Sequence, residues 1–447
     1  MLSTVDEIRS ISRSNTLEDE LEQQFIQQRL DDIVCPILSL PPEVTSEIFI
    51  WCLPGSSEDH LGPTLKRPLR APILLLHICR IWRFIAISTP PLWTNLHLKL
   101  PSLPGRFLES GTYQKFLSDW LARSGACPLT LNLGGLDAEP DRLLIPTALN
   151  HFASHTQILN LNVKPGYYKD HTPDFSILQK LTLSFSGVVD EAEINDGNPI
   201  QTFIAAPQLR DISLVNAPPS LLAIRWEQLT VFGGEMLSST ECIALLRSAP
   251  SLVECTFYSP YLAPNTPSIS HVGLKSLTNV EDGDVLFPFL TLPTLQTLDI
   301  AVFHPSEAVL PFISRSTASL LKFSGPGSPE LPLNSFFSMR VLTHLQLEPL
   351  ESQYVVELLG LLNRAENPTF LPQLRALDLF SCSPYDYEVL VPALSSRRTR
   401  TRDGGARLRS FHQSWETGFQ ASPQGDTDIA LKELIEGGME IELGPWL

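Results

Sequence analysis

Along most of the chain, leucine and isoleucine recur in one short phrase, L-x-x-[LI]-x-[LI]. Leu178-Leu181-Leu183, Leu209-Ile212-Leu214, Leu295-Leu298-Ile300, Leu342-Leu345-Leu347 and Leu374-Leu377-Leu379 fit it without gaps. Weaker copies are Ile158-Leu161-Val163, Leu252-Cys255-Phe257 and Leu408-Phe411, with looser ones near Leu229, Leu277 and Phe323. The last two apolar positions lie two residues apart, which is the period of a strand that buries one face. Between the phrases, Ser239 to Ala249, Ser306 to Ala318 and Gln353 to Arg364 carry the three-to-four-residue spacing of a helix. Pro207, Pro250, Pro293 and Pro372 each stand two residues before a phrase, where proline ends a helix and favours an extended approach. The predicted unit is helix, proline, strand.

Copies of the phrase are spaced about 25 residues apart on average, within the range of leucine-rich repeats, though single gaps vary widely. Strands of this kind cannot bury their leucines alone, and stacked neighbours supply a continuous core. The expected fold class is therefore α/β, with an irregular leucine-rich-repeat solenoid, or horseshoe, over residues 94 to 447. From about residue 426, a helix (Asp428 to Glu436), a Gly437-Gly438 stop and a strand (Glu440 to Leu443) read as its C-terminal cap.

The N-terminal part has a different texture. Residues 16 to 34 place Leu17, Leu21, Phe25, Ile26, Leu30 and Ile33 on a helical stripe, with Thr16 and Asp19 as a candidate cap. The stripe suits packing on the same chain or self-association, and is too short for a coiled coil to be asserted. Residues 1 to 35 thus form a first segment, partly disordered. Between Pro36 and Trp93 the chain reads as helix, loop, helix, helix: Pro41 and Pro42 suit a first helical turn and Glu43 the positive end of the dipole. Val44, Ile48 and Cys52 share one face, with Phe49 and Leu53 beside them.

This small three-helix module resembles the F-box. The resemblance is carried by Leu40-Pro41-Pro42-Glu43, the pair Ile48-Phe49 and the later Ile78-Cys79-Arg80-Ile81-Trp82, all in order. The continuation Ser88 to Trp93 is similar to an ending common in fungal members. Ile78 stands where valine is usual, and a long loop parts the first helix from the second. The resemblance covers about 60 residues, here 36 to 93. It implies that the chain supplies substrate choice to an SCF-type ubiquitin ligase: a Skp-type adaptor, and through it a cullin–RING ligase, would bind Leu40, Pro41, Pro42, Glu43, Ile48, Phe49, Cys79 and Trp82. Several of these, Ile48 and Trp82 above all, could equally fill the module's own core. A scaffold role outside ubiquitin ligases is the alternative.

On the repeats, residues flanking the inward leucines should point to the opposite, ligand-facing side. A carboxylate recurs there at Asp211, Glu254, Asp299, Glu348 and Asp378. In register these acids would form a vertical rank that favours a basic protein segment as substrate; the plainer reading is a solvated strand face.

Charge and chemistry narrow the picture further. With a formal net charge of -17 and pI near 5.0, the chain lacks the clustered cationic surface that nucleic acid or anionic membranes need. Six arginines at 397, 398, 400, 402, 407 and 409 are the exception and read as a mobile loop between repeats, with docking on the acidic chain as another option. No G-x-S-x-G, Walker, H-E-x-x-H or dinucleotide motif occurs, so no enzymatic activity, cofactor or metal is expected. His151 and His155 have metal-pair spacing but no third ligand nearby, and read as structural. The seven dispersed cysteines, with Cys242, Cys255 and Cys382 in core positions, and the lack of a signal or spanning segment, imply a reducing, cytoplasmic or nuclear setting.

Overall fold

The computed structural model describes residues 40–53, 70–99, 111–134, 144–185, 199–280, 285–301, 308–316, 318–327, 331–350, 352–381, 387–400, 404–415 and 425–445. The helix expected over 16–34, and Cys382 and Arg402, lie outside them. The chain divides into two compact units, one of residues 1–96 with 104–127 and one of 97–103 with 128–447.

The first unit is helical. Helix α1 (Pro42–Trp51) begins on the Pro41-Pro42 pair, with Glu43 in its first turn and Thr45 Oγ1 donating to Pro41 O at 3.2 Å. After a 3₁₀ turn at Leu74–His77, helix α2 (Arg80–Ile87) is capped by Cys79, whose sulfur accepts the Trp82 backbone N–H at 3.4 Å. Between the two, Arg83 Nε donates to Leu76 O at 2.7 Å. A further 3₁₀ turn (Pro90–Trp93) leads on, and Trp93 Nε1 donates to Ala86 O at 2.8 Å. The unit runs past the residue-93 boundary read from sequence, because helix α3 (Thr112–Ser124) packs into it. Trp120 Nε1 donates to Trp93 O at 2.7 Å, with the two indoles edge to face 5.0 Å apart. Buried Tyr113, Leu117 and Trp120 line up on α3 at helical spacing.

The second unit is mixed α/β and is built on a large parallel sheet. Its strands are β1 (Asn95–Lys99), β2 (Leu129–Gly134), β3 (Thr156–Asn162), β4 (Lys180–Ser184), β5 (Asp211–Val215), β6 (Val231–Glu235) and β7 (Glu254–Tyr258). A short β8 (Ile269–Ser270) precedes β9 (Ser276–Val280), and a short β10 (Leu290–Thr291) precedes β11 (Thr297–Ala301). Then come β12 (Lys322–Gly327), β13 (His344–Leu350), β14 (Ala376–Ser381), β15 (Ser410–Trp415) and β16 (Glu440–Pro445). Apart from β8 and β10, which pair with each other, all follow one another across the sheet in chain order. Helices α4 (Leu144–Phe152), α5 (Ser239–Ser248), α6 (Val309–Ser316), α7 (Ser352–Leu362), α8 (Tyr387–Ser396) and α9 (Asp426–Glu436) lie between strands. Elsewhere the connection shrinks to 3₁₀ turns, as at Pro219–Leu221 and Trp226–Gln228 between β5 and β6. That difference in connection is why the gaps between phrases are uneven.

The strand registers bring the middle leucines of the phrases into one ladder: Leu131, Leu159, Leu181, Ile212, Phe232, Cys255, Leu277, Leu298, Phe323, Leu345, Leu377 and Phe411. All are buried. Each removes roughly the full side chain from water, on the order of 1.5–3 kcal/mol for a leucine-sized group. The phrase's first leucine turns the chain into the strand. The N–H groups of Leu209, Leu252, Leu295 and Leu374 donate to the residue before the proline, at 3.1–3.3 Å, so the proline occupies the second position of a tight turn.

Two details depart from the sequence reading. In β3 the ladder is Leu159-Leu161, and Ile158 sits on the polar face opposite Lys180. The place of the first leucine is taken by buried Thr156, which satisfies its hydroxyl by donating to Phe152 O at 2.9 Å. Second, at two of the three phenylalanines of the ladder, Phe232 and Phe323, the next inward position is glycine. A Cβ on Gly325 would lie 2.9 Å from Phe323 Cζ, and one on Gly234 would lie 2.8 Å from Phe232 Cε1 and 2.6 Å from Leu237 Cδ1. The ring takes the space of two side chains.

Candidate functional site

In the first unit, α1 turns the face of Thr45 and Phe49 inward. Phe49 is 1% exposed and meets Trp82 edge to face at 5.0 Å between ring centroids. Phe49 thus takes the core-filling role left open for members of the set, and Val44, Ile48 and Cys52 form the outer face. Leu40, Pro41, Pro42, Glu43 and Ile48 are exposed; Cys79 and Trp82 are half-buried, Cys79 as the α2 cap. Trp82 Nε1 is buried and has no hydrogen-bond partner among the described residues.

Sequence reasoning missed how much apolar surface surrounds these residues. On α1, Val44 and Trp51 join Leu40 and Ile48 in solvent, Trp51 at 87% exposure. On the following elements Leu74, Ile78, Ile81, Phe84 and Ile87 are exposed as well, Phe84 at 72%. The spacing 44, 48, 51 and 81, 84, 87 was legible as a second stripe on each helix. A unit this small gains nothing in stability from large apolar side chains held in water, and contiguous patches of this kind mark association surfaces.

In the second unit the five acids lie on the polar side of the sheet but do not form one rank. Asp211 and Glu254 belong to one row, with Val231 between them. Asp299 and Asp378 belong to the next row, separated by Ser324 and Gln346. Glu348 falls where the β13 register shifts. The phrases stay in register through their middle apolar residues; Asp211 and Glu254 precede that residue by one position and Asp299 and Asp378 follow it by one, so they land in different rows. Asp211 is neutralised in addition by Lys180, 2.8 Å away in the adjoining strand. Asp378 lies 3.9 Å from His412 Nδ1, and partial burial raises its carboxyl above the ordinary range against the pull of His412 and His344. His344 itself is held below the usual imidazole value by burial and then by Lys322.

The arginine segment is also corrected: its first member is a core residue. Arg397 is 1% exposed and donates to Leu362 O at 2.7 Å, Leu371 O at 2.8 Å and Phe370 O at 2.6 Å. Burial pulls its pKa down to about 9, with neighbouring Arg364 adding repulsion. Arg364 donates to Thr399 O at 3.1 Å and Ala406 O at 2.6 Å, so two cations tie α7, α8 and the approach to β15 together through backbone carbonyls. Arg407 donates to Gly437 O, and among the described arginines of the segment Arg398, Arg400 and Arg409 are exposed.

His155 is engaged by Ser154 Oγ at 3.0 Å, and among the described residues no three His, Cys, Asp or Glu side chains are grouped to hold a metal. Cys242 and Cys255 are buried, and desolvation raises both thiols. No helix among the described residues is long and apolar enough to cross a membrane. No known protein-family model matches the chain, and no curated protein sequence matches it.

Proposed function

We propose that the chain is an F-box subunit that recruits protein substrates to an SCF-type cullin–RING ubiquitin ligase, with the first unit binding a Skp-type adaptor and the second an irregular leucine-rich-repeat solenoid that holds substrate. The observation that carries this reading is the exposed apolar surface of α1 and α2, which coincides with the stretch that resembles an F-box. The chain-ordered parallel sheet with its leucine ladder supports the solenoid. The adaptor contacts are Leu40, Pro41, Pro42, Glu43 and Ile48 from the original set, extended by Val44, Trp51, Ile81 and Phe84 and without Phe49.

Co-expression of the full chain with a Skp-type adaptor tests this. Trp51→Asp with Phe84→Asp should abolish adaptor capture and leave the melting temperature nearly unchanged, since the two side chains are 87% and 72% exposed. Phe49→Ala should instead destabilise the first unit by about 3–5 kcal/mol. Capture undiminished by the double aspartate variant overturns the assignment. Capture of the adaptor without any cullin would favour the scaffold role.

A further inference from the structure

We propose that the C-terminal ends of β6 and β7, with the loop 259–268, form an aromatic ledge that docks an extended basic segment of a partner protein. The inference rests on reading the second unit as the part that recruits substrate.

Met236, Tyr258, Tyr261 and Leu262 are all exposed, Leu262 at 62%. The backbone brings them together. Met236 N–H donates to Tyr258 O at 3.0 Å, Tyr261 N–H donates to Leu237 O at 3.0 Å, and Tyr258 stands in register with Glu235.

The loop that carries Tyr261 and Leu262 is pinned from below. Ser239, fully buried at the start of α5, donates its N–H to Tyr261 O at 2.8 Å and accepts the Ala263 N–H at 2.9 Å. Its hydroxyl also meets Thr266 Oγ1 at 2.6 Å, and Thr266 Oγ1 lies 2.9 Å from Ala263 O. Pro260, Pro264 and Pro267 stiffen the same stretch. The structure thus fixes a loop whose largest side chains face solvent, and a partner would meet a surface that needs little further ordering.

The backbone beside it is strained in a repeated way. The residue that follows each of β5, β6 and β7 lies in the left-handed region: Asn216 at φ 52°, Met236 at φ 58° and Ser259 at φ 44°. Asparagine tolerates this, but methionine has no polar side chain to favour it. Such conformations persist where the surroundings impose them, and they gather at binding sites. Here the turn aims Met236 outward beside Tyr258.

Charge selects the occupant. Glu235 in register with Tyr258 and Glu254 on the same face of β7 make no ion pair among the described residues. No charged residue occurs between Glu254 and Lys275, and along the row of Glu254 the first cations on either side, Lys180 and Lys322, stand three strands away, Lys180 being paired with Asp211. Tyrosine faces attract guanidinium and ammonium groups, and apolar Met236 and Leu262 accept the aliphatic stems of arginine and lysine. Phosphate-rich ligands would be repelled.

The test is selection of displayed random peptides, each of about a dozen residues, on the purified full chain. Enriched peptides should be rich in arginine and lysine, and their affinity should fall about tenfold or more in Tyr258→Ala with Tyr261→Ala. The Phe pair at both positions should bind as the parent does, and Glu348→Gln, outside the ledge, should too. Failure to enrich any peptide, enrichment without basic residues, or binding indifferent to the alanine pair overturns the proposal. Adaptor capture measured on the parent chain separates the two readings: no basic peptide enriched with capture intact tells against the ledge only, and capture absent with peptide binding intact tells against the F-box assignment only.

Discussion

Replacing Gly325 by alanine puts a methyl carbon 2.9 Å from Phe323 Cζ and 3.1 Å from its Cε1. Optimal carbon–carbon contacts lie near 3.5–4.0 Å, so the ring must move or the strand must bend. Phe323 sits in a close-packed ladder between Leu298 and Leu345, with Gly325 beside Leu347 in the next layer, and Phe323 is 2% exposed. Overpacking of this kind costs about 1–3 kcal/mol. Gly325 is absent from the left-handed conformations, so alanine has no backbone penalty and even gains about 0.4–1 kcal/mol from the unfolded state. The steric cost exceeds that gain, and a net loss of about 1–2 kcal/mol is expected. The diagnostic variant is the double change Phe323→Leu with Gly325→Ala, since leucine vacates the space that the methyl needs. Urea unfolding of the parent, both single variants and the double variant gives the coupling, expected at about 1 kcal/mol or more in the compensating direction. Gly134→Ala serves as the control, because its Cβ would meet only Asn162 Cβ at 3.9 Å. Gly325→Ala as stable as the parent, or equally costly with leucine at 323, would refute the reasoning.

Three further outcomes follow from polar side chains of the second unit. Arg397→Met leaves the carbonyls of Leu362, Phe370 and Leu371 without their donor and should lower stability by about 3–5 kcal/mol, read from the urea midpoint. Gln413 occupies a ladder position between Leu379 and Leu443 with its Oε1 buried and unpartnered among the described residues, so Gln413→Leu should stabilise by about 1 kcal/mol in the same assay. His344 has a folded pKa below its ordinary 6.5, so the stability it contributes is complete above about pH 6.5 and is lost as pH falls through the folded value. His344→Gln should therefore reduce the drop in melting temperature between neutral and mildly acid buffer.

The apolar ladder was the most legible part of the molecule, because Leu181, Leu298, Leu345 and Leu377 repeat a spacing that only a one-sided strand satisfies. The copy at β3 was displaced because hydrophobicity cannot see a threonine that earns a core place by bonding to Phe152 O. The second unit's β1 and β2 were not separated from their surroundings, since Leu129, Leu131 and Leu133 alternate without the full phrase. On α1 the difficulty was an excess of signal: Phe49 and Ile48 are adjacent and both apolar, and which one turns inward depends on where Trp82 arrives. The different rows of Asp211 and Asp299 were legible in the phrases themselves, since Asp211 stands one residue before the middle apolar position and Asp299 one residue after it. Arg397 looked like loop charge, and only the three carbonyls that converge on it reveal a core cation.

The chain-ordered pairing of the sheet bears on how the protein is made. Apart from β8 and β10, each strand from β2 to β16 pairs with its neighbours in chain order, so no hydrogen-bonded pair in the ladder must wait for a distant part of the chain. On a ribosome, a newly emerged strand finds its upstream neighbour already outside the tunnel and can add to it at once. The edge left open at each moment is the one that the next segment covers. A stalled or truncated product would then carry a folded upstream portion ending in one exposed apolar layer, and that raw edge, more than any loss of the layers behind it, would determine its recognition by chaperones and proteases.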